Sequence, residues 1–299
     1  RGNMEDAVDV ISQLDVAEPT EFYAVYDGHG GTEAVTFVKR RLPQAVCRGR
    51  DALGDARQIG EALREAFTST DEECLQHLSS PARMPSRISD SSKDQAPAEE
   101  ETSYTLSSGC VCCVALLRGS AVHVANLGDC RALLCNGGEI VCLTADHRPE
   151  VNEGERARLE GLGVEVSGDG YLHGRIGVSR AFGDWAWERG EKCRGIICCP
   201  EIFEAEVALD TEFLLLACDG IFEKMSTREA GQIVRRRLRA TGGDAKAGAE
   251  ALVKNALARN GSDNLSAVVV VFRAPVAAET GRTAPRLFGR AAAASAPAP

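Results

Sequence analysis

Apolar positions alternate or run together over Asp6–Leu14 and Phe22–Tyr26, which predicts two strands, the second ending in an Asp27-Gly28 turn. Behind that turn Ala34, Val35, Val38 and Leu42 recur at helical spacing, so a helix is expected over Gly31–Leu42. A longer amphipathic helix follows, with Ile59, Leu63, Phe67, Thr70, Cys74 and Leu78 along one stripe. Short apolar runs predict strands at Cys110–Leu117, Ala121–Asn126, Arg131–Cys135 and Glu139–Leu143, the last two joined by an Asn136-Gly137-Gly138 hairpin turn. Asn152 with Glu155, and Ser226 with Glu229, have the spacing of capping boxes for helices through Leu159 and Leu238. Further strands are expected at Glu201–Val207, Phe213–Cys218 and Ser266–Phe272, with one more helix from about Asp244 to Arg259.

Helices arrive in pairs and strands in hairpin-linked groups, which is neither an all-β order nor a strict βαβ alternation. The pattern predicts an α+β fold of two packed antiparallel β-sheets flanked by pairs of α-helices, an α-β-β-α sandwich. Two stretches break the periodicity. Residues 79–103 are rich in serine, proline and acid, and are expected to form a solvated insertion without structure. From Ala274 the chain turns Ala/Pro-rich, so 274–299 is expected to be an unstructured tail, leaving 1–273 as a single domain.

The balance of 34 basic against 44 acidic residues, a net charge of -10, argues against nonspecific binding to nucleic acid or anionic lipid. No apolar run approaches the roughly 20 residues that span a bilayer. Six of the twelve cysteines, Cys110, Cys112, Cys113, Cys135, Cys142 and Cys218, sit in apolar strand-like runs, where a free thiol acts as a small hydrophobe. Cys110 and Cys113 make a C-x-x-C, but on a strand they point to opposite faces, and no second pair stands at zinc spacing. Reduced thiols suggest a cytoplasmic or nuclear setting. The chain opens on Arg1, so targeting signals are expected to lie outside it.

Acidic residues mark the predicted strand ends: Met4-Glu5-Asp6, Asp27-Gly28-His29-Gly30, Gly128-Asp129, Asp219-Gly220 and Asp263-Asn264. Any one of these is an ordinary turn. A fold that gathers them builds a negative, oxygen-lined pocket, which like carboxylates cannot share in ionised form without a cation. Hard divalent ions suit such a pocket, and a two-metal hydrolase is the expectation.

Arg1-Gly2-Asn3-Met4-Glu5-Asp6, Val25-Tyr26-Asp27-Gly28-His29-Gly30-Gly31, Asn126-Leu127-Gly128-Asp129-Cys130-Arg131-Ala132 and Leu143-Thr144-Ala145-Asp146-His147 form an ordered set. Val178-Ser179-Arg180-Ala181-Phe182-Gly183-Asp184, Ala217-Cys218-Asp219-Gly220-Ile221-Phe222 and Gly261-Ser262-Asp263-Asn264 continue it. In this order and spacing the set resembles the metal-dependent type 2C protein serine/threonine phosphatases, over about Arg1 to Phe272. The resemblance implies two Mg²⁺ or Mn²⁺ ions, with Asp27 bridging them, Asp219 and Asp263 on the first and the Gly28 carbonyl on the second. Adjacent side chains on a strand diverge, so Glu5 and Asp6 are not both expected to reach metal directly, and the resemblance implies that they grip metal-bound waters. Arg1 matches the family's phosphate-binding arginine, and His29 the histidine that protonates the leaving serine or threonine oxygen. The implied reaction is direct attack on phosphorus by a metal-bridging water or hydroxide, with no phosphoenzyme. The expected partners are phosphoserine and phosphothreonine proteins, and the chain is expected to act as a monomer.

Asp129 fits either a turn former or a ligand for a weaker third ion. Asp146, His147, Arg180 and Asp184 read as fold-stabilising polar groups, outside the catalytic set. Glu223 stands where the family carries aspartate, which puts a third-metal site shared with Asp129 in doubt. Trp185, Trp187 and Arg189 lie in a segment matching the family's variable flap, where substrate contact and plain packing are both open. The alternatives are a catalytically weak or silent family member acting as a binding scaffold, and another two-metal phosphohydrolase such as a nuclease. The acidic balance weighs against the latter.

Overall fold

A computed structural model describes residues 3–15, 19–48, 56–80, 105–273 and 290–297. Strands β1 (Ala7–Asp15), β2 (Thr20–His29), β3 (Gly109–Arg118), β4 (Ala121–Leu127) and β10 (Glu201–Glu206) form one sheet in the order β1-β2-β3-β4-β10. The two-residue β7 (Phe182–Gly183) joins it at the start of β3. The second sheet runs β13-β12-β11-β5-β6, from β5 (Arg131–Asn136), β6 (Glu139–Cys142), β11 (Thr211–Ala217), β12 (Leu265–Val271) and β13 (Arg290–Ala296). A small hairpin of β8 (Trp185–Ala186) and β9 (Glu191–Lys192) stands apart. Every pair in these sheets is antiparallel.

The helices are α1 (Glu33–Arg48), α2 (Ala56–Leu78), α3 (Glu153–Gly161), α4 (Asp219–Phe222), α5 (Thr227–Thr241) and α6 (Ala245–Leu257). Strand alternation explains the layers. Tyr23, Val25, Val111, Cys113 and Ala115 face the space between the sheets, while Phe22, Ala24, Tyr26, Cys112 and Val114 face α1 and α2. With both faces covered, β3 is buried along nearly its whole length, which is why it reads as a continuous apolar run. Val234, Leu238, Ala249 and Leu252 from α5 and α6 seal the other side of the second sheet. The result is the α+β sandwich with a helix pair on each outer face.

Cys110 and Cys113 do fall on opposite faces of β3. Among the described residues none of the twelve cysteines is in a disulfide. The capping boxes form only by half. Asn152 and Ser226 accept the backbone N–H groups of Glu155 and Glu229, but the two carboxylates turn away to Arg158 and Arg180, and to Arg259.

The expected unstructured tail is corrected at Arg290–Ala296. This segment pairs with β12 along its whole length, and its alanines pack on the core. Alanine is a poor strand former, so composition hides an edge strand that tertiary pairing imposes. Residues 274–289, and most of the 79–103 insertion (81 onward), lie outside the described residues.

Candidate metal centre

The acidic residues come from both sheets, at one end of the sandwich. Asp6 precedes β1, Asp27 lies in β2, Asp129 sits in the crossover from β4 to β5, Asp219 opens α4 behind β11, and Asp263 precedes β12. The Asp27-Gly28 turn is corrected: β2 runs through both residues, and the bend falls at Gly30 and Gly31, with φ of 69° and 129°. Gly28 serves another purpose. Its N–H donates to the Glu5 carbonyl at 3.1 Å, and a Cβ there would lie 2.4 Å from that oxygen. Gly220 likewise leaves room for the Asn264 carbonyl, 2.3 Å from where its Cβ would be. Both glycines permit close backbone approach.

Asn264 ties the two sheets together at this end. Its Oδ1 accepts the Glu5 N–H at 2.8 Å, and its Nδ2 donates to the Asn3 carbonyl at 3.2 Å. It fixes the segment carrying Glu5 and Asp6. The motif drew attention to Asp263 and left this strap unnoticed.

Asp219, Glu223 and Asp263 each present a carboxylate oxygen within 4.8 Å of the other two. Asp27 lies within hydrogen-bonding reach of Asp219. Burial, and then the charges of Asp219, Asp6 and Asp129, push its carboxyl well above the ordinary range. Asp6 is raised to about 6 by burial, with the nearby Ser266 and Cys218 side chains pulling it down and the charges of Asp219 and Asp263 adding smaller increases. Both of its carboxylate oxygens are buried without a hydrogen-bond partner among the described residues. Asp129 is raised to about 7 by burial and Asp219, partly offset by Arg148, whose Nη1 lies 3.2 Å from Asp129 and 3.7 Å from Asp219. Orphaned buried oxygens and mutually repelling carboxylates are the donor set that a hard divalent cation satisfies. The residues therefore fit a metal centre.

A cavity of about 180 Å³ opens on this cluster, lined by Asp27, His29, Asp129 and Asp219 together with Tyr171 and Arg175. Sequence reasoning missed the last two. They belong to a glycine-punctuated loop without periodicity, whose Gly170 and Gly174 take positive φ, and only the arginine gave any hint. Arg1 lies outside the described residues.

The four residues set aside as fold-stabilising divide differently. Asp146 pairs with Arg131 through two hydrogen bonds of 2.8 and 2.6 Å. His147 accepts the Gly128 N–H at Nδ1, and its own N–H donates to the Gly128 carbonyl, so it braces the turn that carries Asp129. Arg180 pairs with Glu155 at 2.6 Å. Asp184 instead meets His29 at the cavity, with Nε2 2.9 Å from Oδ1. Trp185 and Trp187 are half-buried, and Arg189 is exposed.

The spacing of a cysteine-nucleophile phosphate loop, Cys-x5-Arg, occurs twice, at Cys112 with Arg118 and Cys142 with Arg148. Neither pair makes one. Cys112 and Arg118 share the extended strand β3, and burial holds the Cys112 thiol well above its usual range. Cys142 ends β6, while Arg148 is committed to Asp129.

The family described as protein phosphatase 2C matches residues 1–265. Probable protein phosphatase 2C 57 of rice (Oryza sativa subsp. japonica) is 35% identical over 85% of this chain and 62% of its own length. Probable protein phosphatase 2C 42 of the same plant is 31% identical over 92% of this chain and 82% of that protein. The chain spans about three fifths of several such relatives. Among solved structures, a serine-threonine phosphatase 2C from Toxoplasma gondii superposes with a TM-score of 0.69 at 22% identity. It covers 91% of this chain and 92% of that one, a likeness of fold. The acidic cleft between two sheets thus stands in a known lineage: the chain belongs to the protein phosphatase 2C family.

Proposed function

We propose that this chain hydrolyses phosphoserine and phosphothreonine esters on proteins, using Mg²⁺ or Mn²⁺. The observation that carries the proposal is the cluster of buried, mutually repelling carboxylates opening on one cavity. Asp27, Asp219, Asp263 and the Gly28 carbonyl would hold two ions, with Glu5 and Asp6 in the surrounding layer. Asp129 is placed to serve a weaker third. When bound, the ions supply an acidified water as nucleophile and neutralise charge on the phosphoryl oxygens.

The chain's own groups do the rest. Arg175, with Arg1 by family resemblance, brings positive charge to an otherwise acidic cavity, where a phosphoryl group needs it. The phosphorus–oxygen ester bond breaks as water attacks in line, and His29 gives its proton to the departing serine or threonine oxygen. Tyr171 and the following residues 175–178 form part of the wall of the same cavity. Nothing in this scheme calls for a thiolate.

The scaffold alternative rests on Glu223 alone, and that side chain still stands beside Asp219 and Asp263. Twelve cysteines outside any disulfide support a reducing cytoplasmic or nuclear setting. A monomer suffices, because one chain supplies every ligand. No described helix is long and apolar enough to cross a membrane.

The test is hydrolysis of a phosphothreonine peptide with Mn²⁺ or Mg²⁺, with and without chelator. Activity is expected to vanish with chelator, and Asp27→Asn or Asp219→Asn to lower kcat about 100- to 1000-fold. Full activity in chelator would sink the metal mechanism, and metal-dependent cleavage of nucleic acid with no action on the peptide would favour a nuclease.

A further inference from the structure

We infer that Asp184 is a positioning residue for His29, and that Gly109 exists to let the two meet. The inference rests on His29 as the proton donor proposed above. The hydrogen bond crosses the sheet. His29 on β2 is paired in register with Gly109 on β3, and Gly109 is paired with Gly183 on β7, next to Asp184. The His29–Asp184 bond therefore passes over the α-carbon of the intervening glycine. A Cβ on Gly109 would lie 2.2 Å from His29 Nε2 and 2.6 Å from Asp184 Oδ2. No other residue fits beneath the pair.

Three features mark the arrangement as costly to the fold. Asp184 takes a left-handed φ of 54°, a conformation disfavoured for a residue with a side chain. Its carboxylate is 1% exposed. Its Oδ2 is buried without a hydrogen-bond partner among the described residues. A carboxylate placed only for stability would satisfy both oxygens from ordinary backbone. Strain and an orphaned oxygen, held in place by their surroundings, are the signature of a site kept for chemistry.

The surroundings hold it firmly. Asp184 N–H donates to the Ser108 carbonyl at 3.2 Å, and the Asp184 carbonyl accepts from Cys193 N–H at 2.8 Å. Behind it, Asp71 on α2 accepts the Gly183 N–H at 2.9 Å and Lys192 Nζ at 2.9 and 3.0 Å, while Lys192 also donates to the Gly183 carbonyl at 2.8 Å. This clamp grips both polar atoms of the Gly183 peptide. It fixes the direction in which Asp184 leaves the strand.

The carboxylate fixes the imidazole in turn. A proton on Nε2 faces Asp184, so Nδ1 is the nitrogen that delivers a proton to the departing oxygen. The carboxylate also stabilises the protonated ring before transfer and keeps its plane from turning. The proton leaves Nδ1 for the serine or threonine oxygen as the phosphorus–oxygen bond breaks, and the ring stays neutral with Nε2 still on Asp184.

The experiment compares two substrates with Mn²⁺: a phosphothreonine peptide, whose alkoxide needs a proton to leave, and p-nitrophenyl phosphate, whose phenolate does not. Asp184→Asn is expected to lower kcat on the peptide about 10- to 100-fold. KM should stay within about threefold, and the ratio of peptide to p-nitrophenyl phosphate turnover should fall at least about tenfold. Gly109→Ala, which wedges a methyl group between the two side chains while leaving both residues unaltered, is expected to shift that ratio in the same direction. His29→Gln combined with Asp184→Asn should lose no more than His29→Gln alone. Equal losses on both substrates, or additive losses in the double variant, overturn the positioning role and leave the phosphatase reading intact. A wild-type chain inert on the peptide overturns both.

Discussion

Two clusters of buried charge lie close together in this protein, and they are built on opposite plans. In the metal cleft, Asp6, Asp27 and Asp129 are all raised above the ordinary carboxylate range, by burial and by one another. In the second cluster, burial also works against the Glu155 carboxylate. Hydrogen bonds from Arg180, Ser179 and Arg158 outweigh it and hold Glu155 down at about 2. In one cluster Arg148 offsets only part of the carboxylates' repulsion, and the other supplies its countercharge from within. Buried charge that is already matched is architecture, and buried charge left unmatched waits for a cation. The two are coupled mechanically. Ser179 donates its N–H to the His147 carbonyl and its hydroxyl to Glu155, and His147 braces the Gly128 turn that aims Asp129 into the cleft.

That contrast predicts opposite responses to the same kind of change. Glu155→Gln strands two partly buried arginines and is expected to cost about 3 kcal/mol or more in urea unfolding. Asp27→Asn, measured in chelator, removes repulsion and is expected to leave the midpoint unchanged or raise it. Equal destabilisation by both would erase the distinction.

A pH series sharpens it next. Burial lowers His147 from 6.5 to about 4. Between those values the unfolded chain binds a proton that the folded chain refuses, so stability falls as pH drops through the window. The full term is on the order of 3 kcal/mol. Glu155 behaves as a depressed carboxylate: its contribution is complete above its unfolded value and disappears only as pH falls towards 2. Thermal melts from pH 7 to 4 are expected to show a shallower loss for His147→Gln than for the unaltered chain. Matching slopes would mean that His147 does not titrate in that window.

Period-2 and period-3.6 patterns predicted the layers because every long strand and helix has a face to bury. Phe22 through Tyr26, or Ile59 through Leu78, read the same way in isolation as in the sandwich. The spacing of acidic residues at strand ends was legible too, since carboxylates beside Gly28 and Gly220 are local features. What depended on distant partners was not. Gly109 looks like any glycine before a strand until His29 and Asp184 arrive from either side. Asp184 gave no sign of its partner, 155 residues away. The Ala-rich β13 is a strand only because the edge of β12 accepts it.

The smallest expected effect sits where the two plans meet solvent. Glu223 is exposed, with Lys224 Nζ 3.7 Å away, yet its carboxylate reaches Asp219 and Asp263. It is therefore an outlying member of the unmatched cluster with a countercharge nearby, intermediate between the two plans. Glu223→Asp withdraws the carboxylate by one methylene. The Mn²⁺ concentration for half-maximal activity is expected to rise several-fold, less than about tenfold or 1.4 kcal/mol. The unfolding midpoint should move by no more than about 0.5 kcal/mol, as for other surface changes. An identical metal titration would place Glu223 outside the cleft's electrostatics. A large stability loss would instead assign it to the matched, structural kind of charge.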